Sequence, residues 1–330
     1  MRLPKFQHLA PASLTEALTL YAQHKESAVM LAGGTDLIVR LRQRLATPAF
    51  AISLNRVPDL DHVIPTPDGG LRIGPMATIH SIETSPAVRP GFGLLSEAAN
   101  KIASPQIRNF ATVAGNLCLD TRCWFYNQSA AWRQSRPPCF KRGAKLCHVV
   151  KHGTRCYALF KGDMAPALMV LGCTVKMARG AGKRTAPLEQ IYTGDGQNPL
   201  TLGGVEMITE ISLPPQPAGA GTSYLKFSLR MGLDFAIATI AARIVLDSGG
   251  ACAEPRIALG SVASAPIRAV GAETLLKGKR LSGELLEKAA DAVLKDVGPV
   301  VSIGAPVDYK KKMIKHLAQE AIAAAWKKAK

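Results

Sequence analysis

The 330-residue sequence predicts an α+β protein of two or three domains, and three observations carry that expectation. The N-terminal half alternates short apolar runs, glycine turns and helical periodicity. A Pro/Gly-rich stretch, PPQPAGAG (Pro214 to Gly221), then reads as a linker. Beyond it, strands and two amphipathic helices, around 283–297 and 308–328, make a separate α+β unit. The composition, 47% hydrophobic and 20% charged, supplies real cores and excludes disordered and fibrous classes. MRLPKFQHLAPASL holds no apolar leader, and FAIATIAARIVL is short and broken by Arg243, so neither secretion nor membrane spanning is indicated. A cytoplasmic location is expected.

Element by element, SAVMLAGGTDLIVRLRQRL reads as a strand, a Gly-Gly turn and a helix with Leu37, Leu41 and Leu45 on one face. Glycines at such a turn let backbone N–H groups approach a phosphate, although GGT alone fits a plain tight turn as well. AFAISLNRVPDLDHV reads as a strand and turn, and GGLRIGPMATIHSIETSP as a strand leading into a short helix. QIRNFATVAGNLCL supplies a second turn of small residues, Ala111, Thr112, Ala114 and Gly115 before Asn116. KGDMAPALMVLGCTVKMA reads as an apolar helix and a strand, TLGGVEMITEISLPP as a turn and a strand. There is no internal repeat.

Between the second turn and that apolar helix lies a basic, aromatic stretch, Thr121 to Lys161. It holds four of the seven cysteines, seven of the eighteen aromatic residues, nine Lys or Arg, and no Asp or Glu. In a reducing compartment clustered thiols point to metal or redox chemistry rather than disulfides. Cys123, Cys139, Cys147 and Cys156 are separated by fifteen, seven and eight residues, without the tight pairs of structural zinc sites, while His148 and His152 are available to replace a thiolate. Spacing alone leaves zinc, an iron–sulfur cluster and ordinary buried thiols open. Cys118, Cys173 and Cys252 sit in apolar surroundings and read as small buried hydrophobes. No histidine shows a spacing that assigns it a chemical role.

The order AGGTDL (Ala32 to Leu37), IRNFATVAGNL (Ile107 to Leu117), GDMAPALMVLG (Gly162 to Gly172) and YLKFSLRMGLDFAIATIAARI (Tyr224 to Ile244) resembles the FAD-binding medium subunits of the xanthine dehydrogenase and carbon monoxide dehydrogenase family of molybdenum hydroxylases. The likeness covers nearly the whole chain. It implies the two-subdomain FAD-binding fold of the vanillyl-alcohol oxidase and p-cresol methylhydroxylase type, followed by a C-terminal α+β domain. The implied boundaries are 1–55, 56–218 with the inserted loop 121–161, and 219–330. Carried over residue by residue, Ala32, Gly33, Gly34, Thr35, Asp36, Leu37, Thr112, Gly115, Asn116, Leu117, Asp163 and Lys226 become the cofactor-binding set, with Arg230 a weaker match. Ala114 stands where many relatives have glycine, which is harmless unless the position needs φ > 0. Most relatives lack the roughly forty residues between Asp120 and Gly162. That insertion resembles the 4-hydroxybenzoyl-CoA reductase β-subunit branch, in which four cysteines carry a [4Fe-4S] cluster, here Cys123, Cys139, Cys147 and Cys156.

The resemblance implies an electron-transfer oxidoreductase subunit with FAD and [4Fe-4S] and no substrate site or catalytic residue of its own. Its partners would be a [2Fe-2S] subunit, a molybdenum-cofactor subunit in a dimer of heterotrimers, and a ferredoxin-like donor; the uncompensated charge of the insertion, including Arg133, Arg136, Lys141, Arg142 and Lys145, is expected to offer that donor a landing surface. Two rival classes are a free-standing flavoenzyme resembling UDP-N-acetylenolpyruvoylglucosamine reductase and a zinc-stabilised nucleic-acid binder using the formal charge of +17. The cations are spread along the chain, however, and the expectation is neither a nucleic acid nor a membrane partner.

Overall fold

The computed structural model describes residues 2–180, 182–203, 205–230, 232–298 and 305–330. Gly204, in the turn read from TLGGVEM, and Met231, in the matched segment 224–244, lie outside them.

The N-terminal layer is a three-stranded parallel sheet, β1 (Gln7–Leu9), β2 (Ala28–Leu31) and β3 (Phe50–Ser53), with β3 in the middle. Helix α1 (Leu14–His24) starts at Ser13, whose hydroxyl accepts the Glu16 N–H at 3.1 Å while Glu16 accepts the Ala12 N–H at 2.8 Å. Ala17 and Leu18 of α1 pack with Ile52, Leu54, Val57 and Leu60. Helix α2 (Leu37–Arg42) buries Leu37 and Leu41, then stops as Arg44 turns to φ 56°, so Leu45 falls outside the helix that its spacing predicted.

The second layer is a five-stranded antiparallel sheet of β4 (Val63–Pro65), β5 (Leu71–Ile73), β6 (Thr174–Arg179), β7 (Gly182–Pro187) and β8 (Met207–Leu213), in the order β4-β5-β8-β6-β7. Beside it run α3 (Ile79–Thr84), α4 (Arg89–Asn100), α5 (Pro105–Arg108), α6 (Val113–Leu117) and α8 (Met164–Val170), while α7 (Ala130–Gln134) lies within the stretch 121–161 and reaches back to the N-terminal layer. Every residue of α8 is buried, which suits the apolar run ALMV and makes this helix the centre of the largest core.

The C-terminal unit pairs β9 (Gly221–Phe227), β10 (Ala238–Leu246), β11 (Cys252–Gly260) and β12 (Ile267–Arg268) antiparallel in the order β12-β11-β10-β9. Helices α9 (Val270–Leu276), α10 (Gly283–Asp296) and α11 (Val307–Lys328) cover it. In α11 Ile314, Leu317, Ala318, Ala321, Ile322 and Ala325 form the apolar face against β9 and β10. Helix α8 also packs on β10 and β11, so the second and third layers share a wall. Among the described residues no helix is long and apolar enough to cross a membrane.

Candidate functional site

Two glycine turns from different layers meet. A Cβ on Gly33 would stand 1.7 Å from the Phe110 carbonyl oxygen, so only glycine fits this approach. Gly34, at φ 73°, turns the chain from β2 toward α2. The second turn is held by Thr112, whose hydroxyl accepts the Gly115 N–H at 3.1 Å and caps α6. Its backbone is pinned to the strand side by Ile79 N–H to the Ala111 carbonyl (2.8 Å) and Val113 N–H to the Ala77 carbonyl (2.9 Å). Ala114 lies inside α6 and is not among the positive-φ residues, so a methyl is accommodated without backbone strain.

The turn is joined to the start of α8. Asn116 Oδ1 accepts the Met164 N–H at 3.0 Å, and a Cβ on Gly162 would stand 2.4 Å from the Asn116 carbonyl. Asp163 is 5% exposed and forms an ion pair with Lys226 Nζ at 2.7 Å. Lys226 also donates to the Lys101 carbonyl (2.8 Å), and the Tyr224 hydroxyl to the Asp163 carbonyl (3.0 Å). Burial drives the Asp163 carboxyl above its ordinary range against the pull of Lys226. Its Oδ1 is buried with no hydrogen-bond partner among the described residues. Beside the pair opens a cavity of about 710 Å³ lined by Glu83, Arg89, Glu97, Asn100, Lys101 and Tyr224, which neither glycine turn lines.

The stretch 121–161 leaves and rejoins the fold through one stem. Arg122 and Leu159 exchange backbone hydrogen bonds of 2.7 and 2.8 Å. The Arg122 guanidinium pairs with Asp36 of the first turn and lies 5.3 Å from the centre of the Phe235 ring. Of the five cations expected to receive a donor, two do not face outward. Arg133 is 8% exposed and donates to the Gln43 and Arg44 carbonyls (3.0 and 2.9 Å), and the Lys141 side chain, 4% exposed, pairs with Asp120 at 2.5 Å. Buried ammonium and guanidinium groups need such partners, and those partners lie far away in sequence. Arg136, Arg142 and Lys145 are exposed, as are Lys151 and Arg155.

Cys123 is the thiol of this stretch that the other three act on or respond to. Burial raises Cys123 and pushes Cys156 up to about 11; charge on Cys139 or Cys147 further disfavours ionisation of Cys123, and charge on Cys123 or Cys139 that of Cys156. Backbone N–H groups of Phe125 and Tyr126 donate to Cys123, that of Ala158 to Cys156, and that of Val150 to Cys147 at 3.4 Å. Among the described residues, however, no three His, Cys, Asp or Glu side chains converge to hold a metal ion. His148 bonds the Pro137 carbonyl at 2.9 Å and stacks on Phe125, which removes it from the thiols. Cys118 packs against the core, where burial pushes its thiol up to about 12.

The residues predicted from sequence thus meet in three pairs of segments: Gly33 with 110–111, Asn116 with 162–164, and Asp163 with Lys226. Leu37 and Leu117 are packing residues, 8% and 0% exposed. The sequence reading missed Arg122, Lys101 and Tyr224. Only Tyr224 carried a signal, as the first residue of a matched segment.

Fold and site together define a mixed α/β flavin-binding domain followed by a C-terminal domain. Residues 4–216 match the profile described as the FAD binding domain in molybdopterin dehydrogenase, and 223–325 that of the CO dehydrogenase flavoprotein C-terminal domain. The chain belongs to the family of FAD-binding medium subunits of xanthine dehydrogenase and CO dehydrogenase type molybdenum hydroxylases. It is 30% identical over 324 residues to the carbon monoxide dehydrogenase medium chain of Hydrogenophaga pseudoflava, covering 98% of both, and 34% identical over 273 residues to an aldehyde oxidoreductase FAD-binding subunit of Escherichia coli (strain K12), covering 78% of this chain and 81% of that one. The solved Hydrogenophaga pseudoflava carbon monoxide dehydrogenase superposes with TM-score 0.83 at 29% identity, over 100% of both chains. FAD fits the residues present: the two glycine turns lie in contact at Gly33 and Phe110, and Asp163 offers a buried oxygen that no donor among the described residues occupies.

Proposed function

We propose that this chain is the electron-transfer flavoprotein subunit of a molybdenum-containing reductase of the 4-hydroxybenzoyl-CoA type. Gly33, Gly34, Thr35 and Asp36, with Ala32 and Leu37 as their backbone frame, would hold FAD from one side. Thr112, Gly115, Asn116, Leu117, Asp163 and Lys226 would hold it from the other. Cys123, Cys139, Cys147 and Cys156 would carry a [4Fe-4S] cluster, which supplies one-electron transfer when bound. A low-potential, ferredoxin-like donor delivers electrons at the insertion. The chain hands them to a [2Fe-2S] subunit and a molybdenum-cofactor subunit in a dimer of heterotrimers, where two electrons and two protons remove the phenolic hydroxyl as water and leave benzoyl-CoA. The division into 1–55, 56–218 and 219–330 belongs to the same reading.

The observation that carries it is the insertion. Four thiols, with Cys139 and Cys147 acting on Cys123 and with Cys123 and Cys139 acting on Cys156, three of them receiving backbone N–H groups, hang from a stem whose first residue pairs with Asp36 of the first glycine turn. N–H donors and flanking cations suit a thiolate-held anion. The specific observation behind a second reading, a hydroxylase of another aromatic or heterocyclic substrate, is the fold shared with the solved quinoline 2-oxidoreductase of Pseudomonas putida 86, TM-score 0.80 at 25% identity.

Anaerobic purification with an absorption spectrum and iron and zinc analysis tests the reading. Each single Cys→Ser change at Cys123, Cys139, Cys147 or Cys156 is expected to remove about one cluster's iron per chain and leave FAD in place. Full iron retention in all four variants, or stoichiometric zinc without iron, defeats the assignment.

A further inference from the structure

Asp36 is the only ionisable residue of the first glycine turn, Ala32 to Leu37, and it stands at the start of α2. A carboxylate in that position ordinarily accepts an N–H from its own helix, yet that of Asp36 accepts none. It is held instead by Arg122, and among the described residues no other cation pairs with it. The neighbouring Asp120 already has its own partners, Arg40 at 3.3 Å and Lys141 at 2.5 Å. Arg122 is fixed by the stem rather than by the thiol-bearing part of the insertion. Its backbone exchanges hydrogen bonds with Leu159, and the preceding Thr121 hydroxyl donates to the Gly196 carbonyl at 2.5 Å. Its guanidinium lies 5.3 Å from the centre of the Phe235 ring, so one side chain joins the first turn, the stem and the segment between β9 and β10. Burial lowers its pKa to about 10, which leaves it charged at neutral pH. A side chain that only filled this junction would need no charge.

We propose that Arg122 is a positioning residue for FAD: by pairing with Asp36 it cancels the one negative charge of the turn that receives the cofactor's diphosphate. The proposal rests on the reading that the first glycine turn holds FAD. Glycine backbone supplies N–H donors to a phosphate but no net charge. An unmatched carboxylate in the same turn opposes the diphosphate, and more strongly the less water lies between them. The cation that removes this opposition comes from the stem of the insertion, not from the segment that carries the turn. The two ties between the insertion and the N-terminal layer therefore do different work. Arg133 fastens the far part of the insertion to the Gln43 and Arg44 carbonyls beyond α2, whereas Arg122 acts on the turn itself.

The test is FAD binding by the full chain, stripped of flavin and titrated with FAD while flavin fluorescence is followed at low and high ionic strength. Arg122→Met should raise the Kd about tenfold at ~20 mM salt, and the gap from the parent should shrink to about threefold at ~0.5 M, where charge is screened. Arg122→Lys keeps the charge and should stay within about threefold of the parent at both. A Met variant that binds FAD as tightly as the parent overturns the proposal. A loss of equal size at both salt concentrations, or one that Lys shares in full, also overturns it and leaves Arg122 a packing residue. If the Met variant does not fold, Lys decides: a loss of about tenfold there at ~20 mM salt overturns the proposal. Failure of the FAD reading looks different. A folded parent that takes up no FAD sinks that reading, and stoichiometric FAD in Gly33→Ala moves the flavin away from this turn; either result takes this inference with it.

Discussion

Gly33 owes its role to a missing methyl. Its ideal Cβ position is 1.7 Å from a backbone oxygen, so Gly33→Ala must push the first turn and the segment at Phe110 apart. That separates the two layers between which FAD is proposed to lie. The variant is expected to purify with less than a tenth of the parent's flavin, read from visible absorbance against protein. Gly34→Ala is the control. Its Cβ would meet only side chains, at 3.4 and 3.5 Å, and the cost is the φ of 73°, about 1 kcal/mol. It should lose stability and retain more FAD than Gly33→Ala. Stoichiometric FAD in Gly33→Ala places the flavin elsewhere. The Gly-Gly pair was visible in the sequence, but which glycine is irreplaceable was not, because the atom it avoids belongs to a residue far along the chain. Ala114 shows the reverse case. A departure from the usual glycine pattern is harmless there because the residue sits in α6.

At the scale of elements, hydrophobic runs and turn residues showed most of the fold. The strand, turn and helix of 28–42, the apolar helix and strand of 164–179, and the two C-terminal helices all lie within a few residues of where periodicity puts them. Periodicity overshot in α2, where the left-handed Arg44 ends the helix before Leu45. It was silent inside 121–161, which has no repeating face, so the sequence could count cations there without saying which turn inward. The short helix α7 illustrates the gap. Its Arg133 reaches the Gln43 and Arg44 carbonyls just beyond α2, ninety and eighty-nine residues away. Arg133→Ala leaves those carbonyls without their charged donor, a loss of about 2 kcal/mol. The insertion should then detach from the N-terminal layer while the FAD domains stay folded. Limited proteolysis reads this directly: cleavage within 121–161 at least tenfold faster than in the parent, with bound FAD unchanged. Equal cleavage rates would show that α7 is held by other contacts.

For the whole molecule, the stretch PPQPAGAG that the sequence reads as a linker is tied to its surroundings by hydrogen bonds. Gln216 donates to the Leu171 carbonyl at 3.0 Å, and the Gly219 carbonyl accepts the Lys330 N–H at 2.9 Å, so this crossing is fastened at both layers. The overall charge of +17 likewise divides once the fold is known. Asp36 and Asp120, beside the stem of the insertion, each hold one of its cations, Arg122 and Lys141, while Lys161 is buried and Arg133 is turned inward. What reaches solvent from 121–161 is Arg136, Arg142, Lys145, Lys151 and Arg155, with no carboxylate among them in sequence. Such a face raises the encounter rate with an acidic protein and is screened by salt. If an acidic, ferredoxin-like donor docks there, Arg136, Lys145 and Lys151 changed together to Glu should slow flavin reduction by that donor roughly tenfold at low ionic strength and flatten its salt dependence. Arg142 is left alone because it donates to the Arg133 carbonyl and so supports the loop. Reduction by a small neutral dye should be unaffected, which separates docking from damage to the cofactors. A triple variant with iron and FAD intact that accepts electrons from the protein donor as fast as the parent moves the docking site off this face.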